Sequence, residues 1–317
     1  PMTAFKTIKG VPVKTISGNR SGASFEGQLY YDSDGVGTFK FVGALAAGTW
    51  ASGGAMNNGR TTTGAGNATQ TAGLVFGGDP APQKAKVEEY NGSSWTNQND
   101  LNTGRGIIGG LGTQTAALCI GGNPGGGEKV ALCESYNGTS WTEVNDLNTA
   151  RYDAEGAGLL TAGIATGGNT GSISAINESW DGTSWTEVGD LNTARLGSSN
   201  FGSQTAAIYA TGDNSGALAN TELWNGSSWT EVADVNTARN VIAGAGTSTD
   251  GIIFGRTADT EAWNGTSWTE VNNMATTRNG MGGMGTGQLA LAAGGTPAAT
   301  TTEEWTQAHP IKTVALS

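Results

Sequence analysis

The residues able to do chemistry in this chain fall into one asymmetric cluster and two repeated series. Tyr152-Asp153-Ala154-Glu155 puts a phenol and two carboxylates within four residues. If they line a common channel, such oxygens hold a cation or a polar ligand; the commoner outcome is exposure at the mouth of a loop. The one histidine, His309, is too few for a Ser-His-Asp or Cys-His arrangement with any redundancy, or for most His-based metal sites. Next to Pro310 it reads as a turn residue. Cys119 and Cys133 fit no zinc spacing. They flank the loop Gly121 to Gly127, so a hairpin there sets them opposite each other. A disulfide is one outcome, and two buried free thiols are the commoner one. No metal and no cofactor is expected.

The first repeated series is basic. Arg60, Arg105, Arg151, Arg195, Arg239 and Arg278 recur at spacings of 45, 46, 44, 44 and 39 residues. Catalysis needs asymmetry, and six equivalent guanidiniums read as structural. Each is expected to bond backbone carbonyls or an Asp between repeats, with Asp146, Asp190 and Asp234, five residues before their Arg, as candidates. The second series, Glu143, Glu187, Glu231 and Glu270, follows Trp-Thr each time. It is read as a solvated outer face, whose charge discourages edge-to-edge pairing.

The elements that must position these residues are repeats. Trp50, Trp95, Trp141, Trp185, Trp229 and Trp268 keep the same five spacings as the Arg series. A third marker, an aromatic preceding each turn, falls at Tyr90, Tyr136, Trp180, Trp224, Trp263 and Trp305. Each repeat reads as four strands. The segment after each Arg is small and Gly-rich, as in Gly106-Ile107-Ile108-Gly109-Gly110, which suits an innermost strand crowded at an axis. An apolar second strand follows, such as Ala116 to Ile120, ending in a double glycine. A variable loop leads to the third strand. Asn137-Gly138 or Asp181-Gly182 then supplies the positive φ of a two-residue hairpin. The fourth strand opens on the repeated Trp, the expected wedge between neighbours; truncating one to Ala should cost about 3–5 kcal/mol.

Such units bury both faces only by stacking, and a closed ring leaves no unprotected ends. The expected fold is therefore all-β: a six-bladed β-propeller with four-stranded blades over residues 46–306, plus an N-terminal β arm over 1–45 and a C-terminal strand or tail over 307–317. The last repeat stops after Trp305, and Trp50 heads a fourth strand with no preceding partners. Residues 48–56 are expected to complete the final blade, with Ile311 to Leu316 as the other candidate. Phe5 to Ile8, Val13 to Ile16 and Ile311 to Val314 share one alternating pattern and are expected to lie together, beside the ring or against a neighbouring subunit.

The order of Arg, small strand, double glycine, aromatic and Trp resembles the kelch repeat over about residues 48–305. Gly77-Gly78, Gly121-Gly122, Gly167-Gly168 and Gly294-Gly295 match its double glycine, while Thr211-Gly212 and Gly255-Arg256 depart from it. The nearly identical blades, with Trp-Thr-Glu-Val and Asp-Leu-Asn-Thr-Ala-Arg recurring, resemble virion proteins of marine and cyanobacterial tailed phages. The leader from Glu26 to Lys40 is similar to short β segments of phage tail and fibre proteins. That resemblance implies a particle-decorating or host-attachment role, held to other virion proteins through residues 1–45, with a host glycan or protein as ligand. Kelch-fold copper oxidases need two His ligands, which one His does not supply. Sialidases, also six-bladed, carry Ser-x-Asp-x-Gly-x-Thr-Trp at the turn before the fourth strand; Ser179 to Trp185 is one residue short of it. The kelch resemblance alone implies a soluble interaction module, and a glycan hydrolase comes third.

Composition agrees with binding rather than catalysis on nucleic acid or in a membrane. Gly makes up 53 of 317 residues, and ten Trp at regular positions argue against disorder. A net charge of −11 without any basic cluster speaks against phosphate backbones. No apolar run approaches the length of a membrane helix, and the printed sequence opens on no signal-peptide pattern. The expected location is the virion. Ligand recognition is expected on the loops after the second strands, at the mouth of the channel.

Overall fold

The computed structural model describes residues 47–307 except Thr62, Asn67 and Ala298, together with the backbone of short strands between residues 7 and 42 and over Ile311–Val314. Two units are distinct: Thr49–Thr306, and the terminal segments Pro1–Gly48 with Gln307–Ser317.

The larger unit is a ring of six four-stranded antiparallel sheets. Blade 3 is representative, with Glu155–Leu159 innermost, then Ala162–Thr166, Asn177–Trp180 and the outer Trp185–Val188. Inner strands follow one another around the axis, and that of blade 6, Gly282–Gly285, meets that of blade 1, Gly64–Ala65. Blade 6 is completed by Thr49–Ser52, which pairs antiparallel with Thr302–Thr306 so that Trp50 faces Trp305. The N-terminal strand therefore closes the ring.

Hydrophobic burial is organised by seam rather than by blade. Six buried clusters each join the second strand of one blade to the aromatic pair of the next. Trp185 packs on Trp180 of its own blade, ring centroids 5.2 Å apart, and shares a cluster with Leu118 and Ile120 of blade 2. Such aromatic pairs add to plain area burial. Five of the six repeated Trp are buried; Trp50, in the closing strand, is half-buried.

The indole N–H of each repeated Trp points at one position, the first residue of the preceding blade's third strand. Trp95, Trp268 and Trp50 donate to the hydroxyls of Thr302, Thr221 and Thr260 at 2.9–3.1 Å. Trp229 meets the amide oxygen of Asn177, at 3.1 Å, once that amide is oriented by its neighbours. Blades 1 and 2 carry Val87 and Cys133 at this position, and the indole nitrogens of Trp141 and Trp185 have no partner.

The Arg series is buried and paired, but not with Asp. Each guanidinium meets a buried Glu on the third strand of its own blade, two residues before the aromatic: Glu88, Glu134, Glu178, Glu222, Glu261 and Glu303, at 2.5–3.2 Å. The Glu also accepts from the segment that enters its blade. Glu178 takes Asn148 N at 2.7 Å, Asn148 Nδ2 at 2.8 Å and Thr149 N at 3.3 Å. Asp146 and Asp190 instead accept the backbone N–H of Cys133 and Asn177, where third strands begin. A carboxylate five residues before the Arg caps a strand; the longer-range Glu has the reach and the burial. Burial pulls the Arg60 guanidinium down to about 10, with Glu88 opposing. The third-strand Glu thus ties each incoming segment to its blade, and the outer Glu143, Glu187, Glu231 and Glu270 are exposed as expected.

The double glycines sit where one blade touches the next. Gly77 has φ +60, and a Cβ there would lie 2.7 Å from the carbonyl oxygen of Arg105 in blade 2. The departures keep the backbone: Thr211 and Arg256 have φ 64 and 71. In blades 1 to 5 the turn before the outer strand is a four-residue loop rather than the expected two-residue hairpin. Tyr136 pairs with Trp141, and Asn137 Oδ1 accepts the N–H of Thr139 and Ser140. An Asx turn replaces the tighter geometry. Cys119 and Cys133 are both free and buried, because Cys119 pairs with Glu134 while Cys133 pairs with Ile120. Burial pushes their thiols up to about 11 and about 12.

In the terminal unit, Thr7–Ile8 pairs with Val11–Pro12. A four-stranded sheet runs Lys14–Ile16, Leu29–Asp32, Thr38–Val42, Ile311–Val314, its first pair parallel and the others antiparallel. Two of the three alternating segments, from opposite ends of the chain, thus share one sheet. Ile311–Val314 belongs here and not to the last blade.

Candidate functional site

In blades 2 to 6 the position two residues after the Arg carries the local geometry of the axis. Ile107, Asp153, Gly197, Val241 and Gly280 all take a left-handed backbone, with φ between 52 and 63. For β-branched Ile107 and Val241 this conformation is strained and needs its surroundings to hold it. They do: Asp153 N donates to Ile107 O at 2.9 Å, Val241 N to Gly197 O at 2.6 Å, and Gly280 N to Val241 O at 3.1 Å. These backbone hydrogen bonds join blade 2 to blade 3 and blades 4, 5 and 6 to one another in a partial collar at the mouth of the channel.

Inside the collar lies a cavity of about 70 Å³, lined by all six blades. Blade 3 contributes Asp153 and Glu155, blade 4 Ser198 to Asn200, and blade 1 Thr63. The Gly197 N–H bonds the Asp153 carboxylate. Asn200 Nδ2 donates to Glu155 O at 3.1 Å and to Thr166 Oγ1 at 3.3 Å. Both carboxyl groups keep some surface on the channel, yet protein surrounds them. That enclosure pushes the Asp153 carboxyl up to about 6. It lifts Glu155 well above the usual carboxylate range, with the charge of Asp153 adding to the effect. Tyr209, buried behind them with the Arg195 guanidinium 4.8 Å over its ring, is raised as well.

Of the three residues singled out from sequence, the structure brings Asp153 and Glu155 together on the axis. Tyr152 does not line the cavity; it is half-buried and pairs through its backbone with Asn169, at the foot of a loop. The left-handed turn at Asp153 separates the two environments. Sequence reasoning missed Asn200 and Thr63. The signal was present, since Ser198-Ser199-Asn200 breaks the small apolar pattern of the inner strands as plainly as blade 3 does.

The loops after the second strands open at this same end. In five of the six blades their first residues bridge to the residue after the Arg: Asp79 to Thr61, Asn123 to Gly106, Asn169 to Tyr152, Asp213 to Leu196, Thr296 to Asn279. These loops are where the blades differ. Blade 1 carries a 3-10 turn over Gln83–Ala85, blade 2 the run Gly125 to Gly127, and blade 5 a contracted link with exposed Arg256. Among the described residues no three His, Cys, Asp or Glu side chains group as metal ligands, and no helix is long and apolar enough to cross a membrane. His309 lies outside the described residues.

A ring of six four-stranded blades, variable loops at one end and an acidic pocket on the axis beneath them define the class: this is a six-bladed β-propeller. No protein-family model matches the chain, and no curated protein matches it.

Proposed function

We propose that the protein is a non-catalytic binding scaffold that recognises its partner through the loop face of the ring. One observation carries this reading: near-identical blades present loops of different length and chemistry at a single end. Selection for stability alone has no need of such differences, and variable loops on a repeated frame are a usual place for recognition. A hydrolase that clamps a substrate carboxylate needs free guanidiniums, whereas the six repeated Arg here are buried and committed to Glu and backbone carbonyls.

The finer reading is a structural component of a phage particle, kelch-like in its repeat, that decorates the particle or contacts a host glycan or protein. The near-identity of the blades and the resemblance of the leader to tail and fibre segments support it. Attachment to other virion proteins through residues 1–45 belongs to this reading, and the side chains of that segment lie outside the described residues. Mass spectrometry of gradient-purified particles tests it. Peptides from Tyr152 to Arg195 at a fixed ratio to the major capsid protein are expected. Their absence from clean particles refutes the particle role and leaves a soluble interaction module, in which substitutions in the 79–86 and 123–129 loops abolish binding of one partner.

A further inference from the structure

The terminal segments 1–48 and 307–317 hold six Lys and Arg against three Asp and Glu, whereas the ring holds ten against 24. Rings of such one-sided charge repel one another. Four blades also expose a Glu in the outer strand, at Glu143, Glu187, Glu231 and Glu270, which guards those edges against pairing. One edge of the terminal sheet differs. Ile311–Val314 pairs antiparallel with Thr38–Val42. Among the described strands nothing pairs with its other side, so its outward N–H and C=O groups form a template for a further strand. Three of its four residues, Ile311, Thr313 and Val314, are strong strand formers. The opposite edge of the sheet, Lys14–Ile16, is shorter and runs parallel to its neighbour.

We infer that Ile311–Val314 is a pairing edge for a second copy of this chain, joining two terminal sheets into one sheet about a two-fold axis. A two-fold contact needs a strand that is complementary to itself. Antiparallel self-pairing of these four residues sets Ile311 opposite the partner's Val314 and Lys312 opposite the partner's Thr313. β-Branched residues meet, and no like charges stand directly opposite each other. The edge asks for no chemistry that the chain does not itself supply, which favours a copy over a foreign strand. The contact is four residues long, so association depends on concentration. The inference rests on the terminal unit alone and stands apart from what the loop face recognises.

Sedimentation velocity on the full chain, from about 1 to about 300 µM, tests it. The mass should rise with concentration from the 32.0 kDa of one chain toward twice that value. Two variants then test the register. Thr313→Glu puts a carboxylate opposite the partner's Lys312 at two symmetric places and should tighten the dimer about 2- to 30-fold. Adding Lys312→Glu sets carboxylates opposite each other and should leave the dimer weaker than the parent. Both variants leave the same residue pair opposite Lys40 within the chain's own sheet, so the difference between them reads the contact with the copy. Circular dichroism checks that both keep the parent fold. A parent chain that stays monomeric throughout that range overturns the inference, as does a dimer whose affinity the two variants leave unchanged or shift in the same direction.

Discussion

Removing the carboxylate of Glu178 probes how the blades are held to their connecting segments. Glu178→Ala strips four hydrogen bonds at once: from Arg151 Nη1 at 2.6 Å, Asn148 N, Asn148 Nδ2 and Thr149 N. The guanidinium is the expensive orphan. Arg151 is fully buried, and its remaining bonds go to the carbonyls of Thr149 and Ala165. Breaking a buried pair from one side costs about 3–5 kcal/mol. The Asn148 and Thr149 donors are near the surface, where water replaces the carboxylate, so they add little. About 4 kcal/mol is a large fraction of the 5–15 kcal/mol typical of a folded domain. Urea denaturation followed by tryptophan fluorescence reads it, with Trp185 in the affected blade. Glu178→Gln, which keeps the shape and one acceptor oxygen, should lose roughly half as much. Arg151→Met with Glu178→Leu should lose less than the sum of the single changes, because no charge is left stranded. A Glu178→Ala midpoint within about 1 kcal/mol of the parent would refute the view that this Glu anchors the segment.

Three other outcomes follow from the seams and the axis. Val87→Thr places a hydroxyl where other seams have one and should satisfy the Trp141 indole, stabilising by about 1 kcal/mol; Thr302→Val, which orphans Trp95, should cost about 1–3 kcal/mol, both read by thermal melting. Burial raises the Asp153 carboxyl from 3.8 to about 6, so the folded state binds that proton more tightly than the unfolded chain. Its contribution is complete below about pH 4 and lost as pH rises through about 6, by at most about 3 kcal/mol. Asp153→Asn should flatten urea midpoint against pH over that window. Deleting residues 1–56 removes the closing strand and should abolish the single cooperative melt; an unchanged melting temperature would mean that Ile311–Val314 can replace it.

The ring, its blade count and the strand that closes it were legible because they are written in repetition: three markers each occurring six times in step, and a Trp without preceding partners. The partners of the Arg series were not. Spacing draws attention to Asp146, five residues away, whereas the true partner of Arg151 lies 27 residues on, across two strands. A Glu two residues before every third-strand aromatic was nonetheless visible, and a buried guanidinium demands an acid. The pocket was half legible. Asp153 and Glu155 stood out by breaking the blade pattern. Asn200 reaches them only because neighbouring inner strands lie side by side around the axis, which one repeat alone cannot reveal. The turn at Asn137 was misjudged in length, since Asn-Gly serves both a two-residue hairpin and a four-residue Asx loop.

Closure by Thr49–Ser52 sets an order of events during synthesis. That strand leaves the ribosome early, and 249 residues separate Ser52 from its partner strand at Thr302. At usual elongation rates the wait is roughly 10–50 s. Throughout it the early strand has an unpaired edge, while five blades stack one after another from local contacts. The final pairing spans nearly the whole ring, the slow kind of contact in folding. The half-buried Trp50 marks the join afterwards, and it makes the seam between Trp50 and Trp305 both the last to form and the natural gate through which the ring opens.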